Sequence, residues 1–224
     1  ANIILTVGTS ATQFAKDNFG DIPIVFSGVL YPALSGFIET PAHPGGNITG
    51  ASLDIPLDVQ FSYFKQIVPN MKRIGVLYTE STAPLIPSAK VIVQQLGLTL
   101  VPRMISEPKE IPSALDSLAN VTQGLWSVAD PVLFDEQSTR YILKTTLRKM
   151  IPFMGFSRHV VESGALFALD FDHKAIGFQA GQIINELIAG KDFSELKVTS
   201  TDVIYFHFNE KTAKHIKAVI PPDL

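Results

Sequence analysis

The chain has 224 residues, of which 46% are apolar and 17% charged, and 18 Lys plus Arg against 21 Asp plus Glu leave a net charge of -3. At roughly 150 residues per domain, that length suits one large domain or two small lobes, and the composition is the reverse of a disordered chain's. With no basic block the footprint of a nucleic-acid binder is missing, and no apolar run reaches the roughly 18 residues that span a bilayer. Residues 1–6 show no charged region followed by a cleavage site. Cysteine is absent, which removes disulfides, thiolate metal sites and cysteine nucleophiles and leaves the redox compartment open.

Apolar runs rich in Val, Ile, Leu and Phe recur at 3–7, 22–26, 74–78, 98–105, 124–128, 151–156 and 165–171. Runs that are apolar on both faces suit strands covered on both sides, the habit of parallel sheets. Between them lie stretches of helical period. Leu57, Phe61, Phe64, Ile67 and Val68 form one stripe, with Asp58 read as its cap and Pro69 as its stop. Ile176, Ala180, Ile183, Ile184, Leu187 and Ile188 form another, capped by Asp172 and ended by Gly190. Less regular helical stretches at 11–18, 87–96, 112–119 and 136–149 complete an alternation that predicts an α/β fold with right-handed crossovers.

The alternation breaks once, between Val29 and Pro56, where Pro32, Pro41, Pro44, Gly45, Gly46 and Gly50 crowd together. A change of lobe is placed there. Only two strand-helix units precede the break, too few to cover a parallel sheet, so either the segment from Asp172 onward returns to complete the first lobe or residues precede Ala1.

Enzyme signatures are weak. Gly155-Phe156-Ser157 opens like a nucleophile elbow, but His159 stands where the tight turn needs its second glycine. Ser62 and Lys65 fit Ser-x-x-Lys, yet they lie inside a predicted amphipathic helix without the partner motifs of that enzyme class. No two of the five histidines fall three or four apart, so no helix presents a pair to a metal, and neither the P-loop nor the dinucleotide glycine pattern occurs. No catalytic residue, metal ligand or cofactor is assigned.

The carboxyl ends of the strands are more informative, because open parallel sheets bind ligands there. After the first strand, Gly8-Thr9-Ser10-Ala11 opens a helix with small hydroxyl residues. Its free amides and positive dipole end make a seat for a carboxylate; an ordinary cap at Thr9 or Ser10 accounts for the same residues. Ser27-Gly28-Val29-Leu30-Tyr31-Pro32 after the second strand is a polar turn with one aromatic ring. Thr79-Glu80-Ser81-Thr82, Ala129-Asp130-Pro131 and Ser157-Arg158 follow later strands, and Asp170 and Asp172 share one side of an extended strand unless Asp172 is a helix cap.

Several motifs in order carry a resemblance along essentially the whole chain. They are Pro44-Gly45-Gly46-Asn47-Ile48-Thr49-Gly50, Val68-Pro69-Asn70-Met71-Lys72-Arg73-Ile74-Gly75-Val76-Leu77-Tyr78, Glu162-Ser163-Gly164-Ala165-Leu166, and Asn209-Glu210-Lys211-Thr212-Ala213 with Ile220-Pro221-Pro222. Together they resemble the TrpX-like family of ABC-transporter substrate-binding proteins. The resemblance implies a two-lobed type I periplasmic-binding-protein-like α/β fold, with parallel sheets flanked by helices and a ligand cleft between the lobes. It also implies that Ala1 is internal to a longer protein, since the first lobe of such proteins opens with two more strand-helix units, on the order of 60 residues; the strand at 3–7 is then expected to have an unpaired edge.

Departures from the family pattern gather at strand ends. Tyr31-Pro32 stands where Asp-Pro is usual, Asp130-Pro131 where Asp-Asn is usual, Ala83-Pro84 where Asn-Ser is common, and Asp170 where a small residue is usual.

The lobes are expected to be 1–53 with about 172–197, and 56–168, leaving 198–224 as a C-terminal segment assigned to neither. The expected function is an extracytoplasmic solute-binding protein, periplasmic or extracellular and open to a lipoprotein anchor, that delivers a small molecule, with aromatic amino acids favoured, to the membrane permease of an ABC importer. A monomer is expected. The expected ligand residues are Thr9, Ser10, Ser27 and Gly28 for an acidic group, Tyr31 and Phe156 for an apolar part, and Asp130, then Asp170, for an ammonium group. A sensory or regulatory domain of the same fold is one alternative. An enzyme in which Asp130 and Asp170 face each other across the cleft as a carboxylate pair is another.

Overall fold

A computed structural model describes residues 2–201 and 203–221. The chain divides into two compact units, Ala1–Pro56 with Phe171–Tyr205, and Leu57–Asp170 with Phe206–Leu224. Asp202 and 222–224, in the C-terminal segment left unassigned from the sequence, lie outside the described residues. The first unit carries a three-stranded sheet, and the six-stranded sheet is built on the second; every strand pair with a described register is parallel.

In the first unit β1 (Ile4–Val7), α1 (Thr9–Asn18), β2 (Ile24–Val29) and β3 (Ile48–Ser52) follow in order, and α7 (His173–Ile188) returns later. Alternation along β2 decides what each face covers. Ile24 and Phe26 pack with Ala15 of α1 and with Phe37 and Ile38, whereas Val25 packs with Ala51 and with Ile176, Ala180 and Ile183 of α7. Asp172 caps α7, accepting from the amides of Lys174 and Ala175, and the Tyr205 hydroxyl, foremost, with those amides holds its carboxyl below the ordinary carboxylate value. The capping alternative for Asp172 therefore holds. β1 is paired with β2 alone in the sheet, and its Leu5 and Val7 are exposed.

β3 is absent from the predicted elements. Its residues after Thr49 are Gly50, Ala51 and Ser52, small side chains that carry little strand signal. Close packing requires them: a Cβ on Gly50 would lie 2.1 Å from the Phe26 carbonyl oxygen and 2.6 Å from the Phe26 nitrogen. The stretch read as a break thus contains the strand that completes this sheet.

The second unit runs through α2 (Leu57–Ile67), β4 (Arg73–Tyr78), α3 (Leu85–Gln95), β5 (Thr99–Met104), α4 (Ile111–Ala119), β6 (Gly124–Trp126), α5 (Glu136–Arg148), β7 (Phe153–Gly155), α6 (Arg158–Glu162) and β8 (Phe167–Phe171), with β9 (Ile204–Phe208) and α8 (Glu210–Ile216) added late. The sheet order is β5-β4-β6-β7-β8-β9. The α2 stripe places Phe61 edge-on to Trp126 at 4.9 Å and Phe64 edge-on to Phe167 at 5.2 Å, all four rings fully buried. Burying one such side chain contributes about 1.5–3 kcal/mol. Asp58 lies in the first turn of α2, because the helix begins at Leu57, so it is not the cap expected from the sequence. β9 was likewise not anticipated: its residues are half-buried or exposed and none is fully buried, which gives a weak periodic signal.

Candidate functional site

In the first unit the carboxyl ends of β1, β2 and β3 stand side by side, since Val7 pairs with Ser27 and Ser27 with Ala51. Gly8 occupies the cap position of α1 at φ 80°, and having no side chain it covers none of the first-turn amides. Thr9 and Ser10 are exposed members of that first turn. The ordinary-cap alternative is thereby set aside: neither hydroxyl caps the helix. The Gly8 amide donates to the Ser27 carbonyl at 2.9 Å, tying the seat to the end of β2. Gly28 follows at φ 74°, inside the register shift between Ser27 and Val29.

Tyr31 adopts a left-handed backbone, φ 52°, uncommon for a residue with a Cβ. Asp54, just past β3, holds it there by accepting from the Tyr31 amide at 2.8 Å, and Ser52 Oγ accepts from the Asp54 amide at 3.0 Å. Burial pushes the Asp54 carboxyl above its ordinary value, against the pull of the Tyr31 amide and the Ser52 hydroxyl. The sequence reading missed Asp54. A lone acid before Ile55 and Pro56 looks like a linker residue, and only the fold brings it to Tyr31.

In the second unit Asp130, Phe156 and Asp170 follow or end the adjacent strands β6, β7 and β8. Asp130 is 2% exposed. Its Oδ2 accepts from Thr79 Oγ1 at 2.6 Å, Thr82 Oγ1 at 2.9 Å and Ser81 Oγ at 3.3 Å. Its Oδ1 accepts from the amides of Val132 at 2.9 Å and Leu133 at 3.3 Å. A carboxylate offers about four lone-pair positions, so these five donors engage it fully while none brings a formal positive charge. The hydroxyls that donate inward keep their own lone pairs as acceptors, and Ser81 is exposed.

Phe156 is half-buried and packs edge-on to Phe134 at 4.8 Å. Ser157 caps α6. That is a structural use for the residue that resembled a nucleophile. Asp170 accepts from the Arg158 amide at 3.2 Å, with His207 Nε2 at 3.9 Å. The enzyme alternative required Asp130 and Asp170 on opposite lobes; both belong to the second unit, each with its own partners. Among the described residues no group of three or more His, Asp or Glu is placed to hold a metal, and no helix is long and apolar enough to cross a membrane.

Residues 1–224 match the family of ABC transporter substrate-binding proteins. The chain belongs to this family. Substrate-binding proteins of this kind are binding proteins and not enzymes. A curated relative, the tyrosine-binding protein of Clostridioides difficile, is 28% identical over 220 residues, which are 95% of this chain and 62% of the relative, so the chain spans less than two thirds of that protein. A Streptococcus pneumonia ABC domain in complex with L-Trp superposes with a TM-score of 0.76 at 21% identity, covering 99% of this chain and 76% of that one. A ligand-free, open substrate-binding protein with adhesive properties from Clostridium difficile gives 0.77 at 23% identity, with the same coverage. At these identities the structural likeness speaks to the fold, that of periplasmic binding proteins.

Proposed function

We propose that this substrate-binding protein is the receptor part of an extracytoplasmic import system, which captures an aromatic amino acid and delivers it to the membrane permease of an ABC importer. Family membership supports the role, and the tyrosine and tryptophan named for a curated relative and a structural neighbour support the ligand class. The observation that carries the reading is the uncapped N-terminus of α1. Gly8 leaves the first-turn amides without a side-chain acceptor, and the exposed Thr9 and Ser10 follow directly on Gly8, whose amide bonds the Ser27 carbonyl. An anion is stabilised at such a place by hydrogen bonds and dipole without a counter-charge that must first be desolvated.

From the first unit, then, Thr9, Ser10, Ser27 and Gly28 receive the carboxylate, and Tyr31 offers an aromatic face. Within the second unit, half-buried Phe156 is the candidate apolar contact. The ammonium group needs an anionic or carbonyl partner. Each unit has acidic candidates of its own: Asp54, whose ionised form burial disfavours, in the first, and in the second Asp130, bonded to the exposed Ser81 hydroxyl, with Asp170 the next.

Native mass spectrometry of freshly purified protein tests the reading, because tight receptors retain their solute. The expected result is a monomer carrying tyrosine or tryptophan. Retention of a sugar or another uncharged solute would overturn the ligand assignment.

A further inference from the structure

A second place in the molecule has the chemistry of a ligand site. A groove of about 990 Å³ lies wholly within the second unit, between α5 and α6. Its wall on α5 is formed by Glu136, Thr139, Arg140, Leu143, Lys144 and Leu147, one face of the helix repeated at three and four residues. That face runs for about 16 Å at 1.5 Å per residue. α5 has 13 residues and α6 only 5, so α6 is too short to cover this α5 face along its length.

Apolar surface lines the floor: Leu143, Leu147 and Val160, with the rings of Phe134 and Phe156 at one end. The rim is polar and its charge is unbalanced. Glu136 is taken up by Arg140 at 2.9 Å, which leaves Lys144 without a carboxylate partner among the described residues; His159 also lines the groove. An apolar trough with a spare cation fits a molecule that is apolar along its length and negative at one point.

We propose that this groove binds small amphipathic anions, a carboxylate or sulfonate carried on an acyl chain or an aromatic body, with Lys144 receiving the anionic group. The proposal goes beyond the receptor reading and shares only Phe156 with it.

Decanoate, added to the isotope-labelled protein below its micelle threshold and followed by amide chemical shifts, locates and measures the binding. Saturable shifts are expected at 139–147 and 157–163. Lys144→Glu, an exposed position that the fold does not depend on, is expected to weaken decanoate roughly tenfold or more, as loss of a charge-assisted contact does. Raised ionic strength weakens it as well, and neutral decanol binds worse than decanoate. The absence of saturable shifts in those segments overturns the proposal, and so does equal affinity for decanol and decanoate that Lys144→Glu leaves unchanged. Because Lys144 has no part in the amino-acid seat, L-tyrosine titrated into the same variant behaves as in the parent protein, and failure of either site is seen separately.

Discussion

The two units are built on the same plan, parallel strands with helices on their faces, yet they treat the polar groups at their strand ends in opposite ways. In the second unit the carboxylate of Asp130 is turned inward and engaged by hydroxyls from the end of β4 and by two amides of its own loop. In the first unit the amides and hydroxyls that open α1 face outward with no cap over them. A closed set of hydrogen bonds stabilises a fold; an open set of donors is free for a ligand. The contrast separates residues whose loss should be felt in stability from those whose loss should be felt in binding.

Gly50→Ala probes the tightest contact behind the first unit's open seat. The added methyl meets backbone atoms of Phe26 that cannot rotate away. A loss of about 4 kcal/mol or more is expected in denaturant unfolding, the range reserved for changes that force a core apart. A loss below about 1 kcal/mol would mean that β2 and β3 are not packed as described.

Asp130→Ala probes the closed set. It removes the shared acceptor of the buried Thr79 and Thr82 hydroxyls, which keep only the Ser81 hydroxyl and a long 3.4 Å bond to the Thr79 carbonyl, and of the Leu133 amide, and about 3 kcal/mol of stability should go with it. Ser10→Ala is the counterpart in the open set: unfolding midpoints should not move, while affinity for an amino acid should fall by about 1 kcal/mol in calorimetric titration. If Ser10→Ala destabilises the protein as much as Asp130→Ala does, the contrast between the units is lost.

The smallest expected effect concerns Asp54. Its folded-state carboxyl is raised by burial, so its contribution to stability is fully present below the unfolded carboxyl value, about 3.9, and is lost as pH rises through the raised one. Asp54→Asn keeps an oxygen for the Tyr31 amide and does not ionise. Between about pH 4 and pH 7 the variant should therefore gain stability relative to the parent protein, followed as the difference in thermal midpoints. A constant difference across that range would show that Asp54 pays no desolvation penalty.

Much of this architecture was legible in the sequence because burial writes itself as apolar runs and stripes. β4, β6 and β8 are such runs, and the stripes of α2 and α7 face the core as their spacing implies, except at Ile188, the last residue of α7, which is exposed. β3 was not legible, since Gly50, Ala51 and Ser52 are selected by closeness to Phe26 and not by strand propensity. At the candidate site, position after a strand pointed to Asp130 and to the hydroxyl run 79–82 separately. That they form one hydrogen-bonded set depends on β4 and β6 being neighbours, a tertiary fact that no local pattern contains. The polarity of the α1 N-terminus was readable from Gly8, Thr9 and Ser10, but whether a hydroxyl would cap the helix or leave it open depended on the backbone at Gly8.

The central claim is that the open donor set of the first unit receives a carboxylate. Calorimetric titration of the protein with L-tyrosine and with L-tyrosinamide, which keeps the ring and the ammonium group but has no carboxylate, tests it most directly, with L-tryptophan and its amide as a second pair. The account predicts saturable binding of at least one of the acids, and binding of its amide weaker by at least about 1.5–3 kcal/mol, the worth of hydrogen bonds to a charged group. Equal affinity for an acid and its amide, or binding of neither acid, would contradict it.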